Sequence, residues 1–130
     1  MEIAGLDHAA LLLESGPYAV FCARGREVPA VMREIGRQRA RAYRAAGEGT
    51  GTSSDFDAFD DDYTQLFAWD RPTERVVGAY RLTDVAEATR TAGVKGLYTR
   101  QLFDYDRRFL DALGPAVELG RSWVMPEYQK

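Results

Sequence analysis

Six charged side chains in this sequence fall on or beside elements that otherwise read as apolar. Arg81 lies in the run "VVGAYRL" at 76–82, and Glu118 and Arg121 interrupt "PAVELGRSWV" at 115–124. Arg39 sits four residues after Ile35 and four before Tyr43, inside an apolar stripe of helical spacing. Asp57 and Asp60 follow in a short acidic stretch. Desolvating an ionised group is costly unless an opposite charge meets it. Singly, each of these residues reads as one half of a structural ion pair. Together they are opposite charges on elements that ought to share a core, and such a network is a candidate functional site.

Other chemistries find little support. His8 stands alone near the amino terminus with no matched serine or cysteine, so no nucleophilic triad is expected. Cys22 lies on an apolar segment and reads as a core residue. No two histidines or cysteines have the spacing of metal ligands, which leaves no metal site to expect. The glycine-rich stretch at 47–54 lacks the Gly-Lys-Ser/Thr ending of a phosphate loop, and no strand precedes it. Between Arg24 and Arg44 seven arginines face two glutamates, but they alternate with apolar positions and no aromatic platform accompanies them. With a net charge of −3, nucleic acid is not an expected partner.

The elements that must position these residues follow an α/β order. A strand is expected over Tyr18–Arg24 and a helix over Glu27–Ala46, entered through Pro29 in its first turn. Val28, Val31, Met32, Ile35, Ala42, Tyr43 and Ala46 form the apolar stripe that Arg39 interrupts. Five aspartates between Asp55 and Asp62 suggest a short helix or turn. Leu66–Trp69 and Val76–Leu82 read as neighbouring strands, with a turn between them. A polar helix over Asp84–Ala92, a break at Gly93 and Gly96, a short helix over Tyr105–Leu113 and the strand at 115–124 complete the series.

At 130 residues, 45% of them hydrophobic, the chain has the length and apolar content of one packed domain or part of one. A single cysteine excludes an internal disulfide, and a cytoplasmic setting is the expectation. The apolar run Ala9–Leu13 is too short for a signal peptide or a membrane span. Trp123, Val124 and Met125 would need a following element to cover them, which points to the front part of a longer domain.

The motifs "DFDAFD" at 55–60, "VVGAYRL" at 76–82, "LYTRQLF" at 97–103 and "ELGRSWV" at 118–124 occur in an order that resembles the N-acyltransferase branch of the GNAT superfamily. That branch holds the ornithine- and glycine-lipid synthases, the N-acyl amino acid synthases and proteins labelled haemolysin-like. The acyl-homoserine-lactone autoinducer synthases are more distant. The resemblance runs from about Tyr18 to the end. It implies a GNAT-like mixed, mainly antiparallel sheet flanked by helices, with residues 1–17 as an extension and 18–130 as the amino-terminal part of the catalytic domain. A 1–130 piece is expected to be inactive alone.

The resemblance also implies roles. Arg39 and Tyr43 match an arginine followed four positions on by an aromatic, although Arg33, Arg37 and Arg41 compete for that place. Asp57 and Asp60 match the spaced acidic pair, Arg81 the strand arginine, Phe103 the aromatic, and Glu118 with Arg121 the Glu-x-x-Arg. Implied substrates are a fatty acyl thioester, carried by an acyl-carrier protein or coenzyme A, and the amine of an amino acid or lipid precursor. No tightly bound cofactor is implied, and peripheral membrane contact is compatible with such a product. With no suitable histidine, Glu118 is expected to be the general base that deprotonates the amine, with Arg121 beside it. Arg39, Asp57, Asp60, Arg81 and Phe103 are expected to bind substrate or hold the base.

Positions 118 and 121 point to opposite faces of a regular strand, so a bulge is expected at or next to Gly120 to bring them to one side. Two other readings compete: a non-catalytic GNAT-like ligand-binding module, and a haemolysin-like protein acting through a lipid product.

Overall fold

The computed structural model describes residues 2–49 and 51–129. Five strands form one antiparallel sheet in sequence order: β1 (Leu11–Ser15), β2 (Tyr18–Arg24), β3 (Thr64–Asp70), β4 (Arg75–Asp84) and β5 (Val117–Val124). Helix α1 (Pro29–Ala45) joins β2 to β3, while α2 (Val85–Ala92) and α3 (Arg107–Leu113) lie between β4 and β5. The expected strands and helices are present, with ends moved by a few residues. The leading segment, expected as an extension, supplies β1, which pairs with β2 through a turn at Gly16 and Pro17.

The sheet is built from rows of cross-strand partners. Phe21, Phe67, Ala79 and Trp123 make one row, and Ala23, Gln65, Arg81 and Gly120 make the next. Helix α1 lays Val31, Met32 and Ile35 on the first row, closing a core in which Ile35 and Phe67 are wholly buried. Full burial of such a side chain is worth roughly 1.5–3 kcal/mol. Trp123 and Met125 belong to this core and need no later element to cover them; of the three residues expected to be uncovered, only Val124 is exposed. After Met125 the chain folds back, and the Tyr128 hydroxyl donates to Asp70 at 2.6 Å.

Helix α1 owes its limits to local chemistry. Pro29 occupies its first position, where the missing N–H costs nothing. At the other end Gly47 takes φ 80°, its N–H reaches the Arg44 carbonyl at 3.1 Å and the Glu48 N–H reaches the Tyr43 carbonyl at 2.7 Å. This glycine-terminated cap satisfies the last carbonyls of the helix. Between those ends the stripe turns Arg39 inward, toward the row that carries Arg81.

Candidate functional site

Arg39 is 1% exposed and reaches the segment that precedes β3. Its Nη1 and Nη2 donate to the two carboxylate oxygens of Asp60 at 3.1 and 2.8 Å, and its Nε donates to Asp55 at 3.2 Å. Arg81, equally buried, donates to Asp60 at 2.9 Å and to both oxygens of Asp57 at 2.6 and 2.7 Å. Arg121 donates from Nη1 to Asp55 at 3.1 Å and from Nη2 to Asp57 at 3.4 Å. The six side chains therefore alternate around a closed ring: Arg39, Asp60, Arg81, Asp57, Arg121, Asp55, and back to Arg39. Three positive and three negative charges balance, and each carboxylate bridges two guanidinium groups.

The ring is a polar plug beneath α1. Asp55 and Asp60 are buried, whereas the side chains of Asp57 and Arg121 keep about a fifth of their surface, at 22% and 21%. Burial pushes the Asp57 carboxyl up, but the hydrogen bond and charge of Arg81, the Phe59 N–H and the charge of Arg121 outweigh it and hold Asp57 below the ordinary aspartate value. Burial would lower the pKa of Arg81, but Asp57 and Asp60 raise it. The Arg81 guanidinium is enclosed by the rings of Tyr98, Tyr63 and Phe59, with centroids 5.0, 5.3 and 5.8 Å away. A cation placed so is attracted to the faces of the rings.

Strand β5 carries the expected bulge. Ala79 opposes Trp123 but Arg81 opposes Gly120, so Arg121 and Ser122 together face Tyr80. The parity shift puts Glu118 and Arg121 on the same side of the sheet. The residue with left-handed backbone is Arg121, at φ 51°, and not Gly120, which has open space where a side chain would start. The Tyr43 hydroxyl, one helical turn beyond Arg39, donates to the Ser122 carbonyl at 3.2 Å and ties α1 to the bulge.

Glu118 has different partners from those expected. No hydrogen bond joins it to Arg81 or Arg121 among the described residues. Its Oε1 accepts from the Tyr63 hydroxyl and the Tyr98 N–H, and its Oε2 accepts from the Thr99 N–H at 3.1 Å and the Thr99 hydroxyl at 2.5 Å. Burial, and next the bond to Glu118, push the Tyr63 phenol well above its ordinary value. Phe103 is not brought to the ring: it is 60% exposed and packs against Tyr105.

The sequence reading thus located Arg39, Asp57, Asp60, Arg81 and Arg121 together but missed Asp55, two positions from Asp57 in the same acidic stretch. It also missed Phe59, Tyr63, Tyr98 and Thr99, which carry no charge to mark them as out of place. No group of three or more histidine, cysteine, aspartate or glutamate side chains among the described residues is arranged to hold a metal ion. No helix among them is long and apolar enough to cross a membrane.

A family model described as an acetyltransferase (GNAT) domain matches residues 38–130, from just before Arg39 to beyond Arg121. The chain belongs to the GNAT acetyltransferase family. The α/β sheet and its bulged strand are therefore those of a GNAT domain, and within it the charge ring ties α1, the acidic segment, β4 and β5 together. The chain is 44% identical over 108 residues to a glycine N(alpha)-acyltransferase of Bacteroides thetaiotaomicron, covering 78% of this chain and 32% of that protein. It is 43% identical over 107 residues to a protein of the same name from Phocaeicola vulgatus, with the same coverage. The GNAT domain described here thus spans about a third of the length of these curated relatives. No solved structure matches the chain.

Proposed function

We propose that this GNAT domain is part of an N-acyltransferase that moves a fatty acyl group from a carrier thioester to the amine of an amino acid, with glycine the first acceptor to test. The observation that carries the reading is the closed ring of arginines and aspartates fastened to a bulged strand in a domain whose relatives are named glycine N(alpha)-acyltransferase. The donor is an acyl-carrier protein or a coenzyme A thioester.

In the reaction the amine nitrogen attacks the thioester carbonyl, a C–N bond forms and the C–S bond breaks. The nitrogen gives up its proton, the departing thiolate takes up a proton, and it leaves as the thiol. In this reading the bulge, where Arg121 and Ser122 together face Tyr80, is the place where backbone N–H groups would meet the developing oxyanion. Arg121 is the ring's arginine with part of its side chain exposed, so the acceptor's carboxylate would meet it there by competing with Asp55 and Asp57 for its Nη groups. Arg39, Arg81, Asp57 and Asp60 hold that arginine and the bulge in place. The product is an N-acyl amino acid, which suits a role in lipid synthesis and contact with the membrane surface.

The test is mass spectrometry of lipids from cells expressing the complete gene, together with purified full-length protein supplied with a long-chain acyl thioester and glycine. An amide-linked acylglycine with stoichiometric thiol release is the expected result. Absence of any amide product, with glycine, ornithine or other amino acids and with either carrier, overturns the proposal and leaves the ligand-binding module.

A further inference from the structure

Glu118 holds a distinct place in the site. A carboxylate has about four lone-pair positions. Glu118 has four donors on them: the Tyr63 hydroxyl, the Tyr98 N–H, the Thr99 N–H and the Thr99 hydroxyl. Three of the four belong to Tyr98 and Thr99, in the short turn Tyr98–Gln101. The Tyr98 N–H is shared with the Tyr63 oxygen at 2.8 Å, and the Tyr105 hydroxyl donates to Thr99 Oγ1 at 2.6 Å, so the fastening extends along the segment.

What this turn covers gives the fastening its consequence. The Tyr98 ring lies 5.0 Å from the Arg81 guanidinium carbon and 5.5 Å from that of Arg121, and Phe59 meets it edge-on at 5.7 Å. Tyr98 is the roof of the charge ring, lying against its buried arginine and its partly exposed one. Leu97, the preceding residue, is 2% exposed and roots the roof in the protein.

We propose that Glu118 is a positioning residue: it pins the Tyr98–Thr99 roof over the arginine–aspartate ring and does not take the proton of the acceptor amine. The activity arm of the test rests on the acyltransferase reading, and the structural arm does not.

The experiment uses full-length protein carrying Glu118→Gln, which keeps the shape but turns an N–H group toward two of the four donors. Bonds to a charged group are the stronger ones, so amide hydrogen exchange across residues 97–105 accelerates by at least about tenfold. Acyl transfer falls mainly through KM, and the loss stays constant as pH rises through the amine's value of about 8 to 10. A general base gives a different kinetic pattern, whatever the exchange does: a kcat loss that shrinks as more amine arrives deprotonated. That pattern overturns the proposal.

Thr99→Val provides a folded alternative should the glutamine variant fail to fold. It removes one donor while sparing the carboxylate. The positioning role requires faster exchange over the same residues and a raised KM, whereas a base relieved of a donor retains or gains activity. If the wild-type protein acylates nothing, the acyltransferase reading fails and the exchange data alone decide whether Glu118 holds the roof.

Discussion

Arg39 and Asp60 meet through two hydrogen bonds of 3.1 and 2.8 Å, with side chains only 1% and 4% exposed. One Asp60 oxygen also accepts from Arg81 at 2.9 Å, so this carboxylate joins the helix to the sheet through two guanidinium groups. The pair shows why the ring persists in a core: no charge in it is left without a counter-charge. It does not follow that the ring adds stability over an apolar core of equal shape, because desolvation offsets much of the attraction.

Breaking the ring is another matter. Asp60→Asn leaves two buried guanidinium groups under-compensated and is expected to cost about 3–5 kcal/mol. Asp61→Asn, next in sequence and exposed, should stay within about 0.5 kcal/mol. Urea denaturation of the two variants measures the difference, and equal midpoints would contradict a buried ring.

Two glycines should behave oppositely. A Cβ on Gly25 would stand 1.9 Å from the Asp60 carbonyl oxygen, and one on Gly120 would meet nothing within 4 Å. Gly25→Ala therefore displaces the segment carrying Asp60, with an expected cost of about 1–3 kcal/mol or more. Gly120→Ala is expected to be neutral or to stabilise by up to about 1 kcal/mol. Melting temperatures of both variants check this.

The acid limb of stability should carry a signature of Asp57. Its folded pKa lies below the ordinary 3.8, so the unfolded chain binds the proton first. Its contribution is complete above that ordinary value and is lost as pH falls through the lowered folded one. The stability gap between the wild-type protein and Asp57→Asn should accordingly narrow below about pH 3.8. A gap that stays constant on acidification would show that Asp57 is not held ionised by Arg81.

Tyr63 should leave a mark at the alkaline end. Its pKa is raised from 10.0 by burial and by the bond to Glu118, so the folded protein keeps a proton that the unfolded chain gives up. That contribution is complete below pH 10.0 and is lost as pH rises toward the folded value. Ultraviolet titration of the phenols should show one fewer late-titrating tyrosine in Tyr63→Phe than in the wild-type protein, and that variant's stability should fall less steeply on the alkaline side.

The sequence by itself determined the element types and most of the ring. Short apolar runs mark β2, β3 and β4, and the 3.6-residue period marks α1. Arg39 declares itself because its charge breaks that period, Arg81 and Arg121 because they interrupt apolar runs, and Asp57 and Asp60 because an acidic stretch must answer them. A bulge beside Gly120 followed from parity once Glu118 and Arg121 were expected to share one face. A misplaced charge shows that a partner is needed, but the partner's identity depends on contacts between distant segments. Asp55 meets Arg121 from 66 positions away, and Glu118 meets Tyr63 from 55. Tertiary structure decided that Glu118 would leave the arginines for Tyr63, Tyr98 and Thr99, because the roof carries its backbone N–H groups over a carboxylate that the ring does not use. It also decided that Phe103 would stand in solvent, since an aromatic side chain shows no preference in sequence between a cleft and a surface.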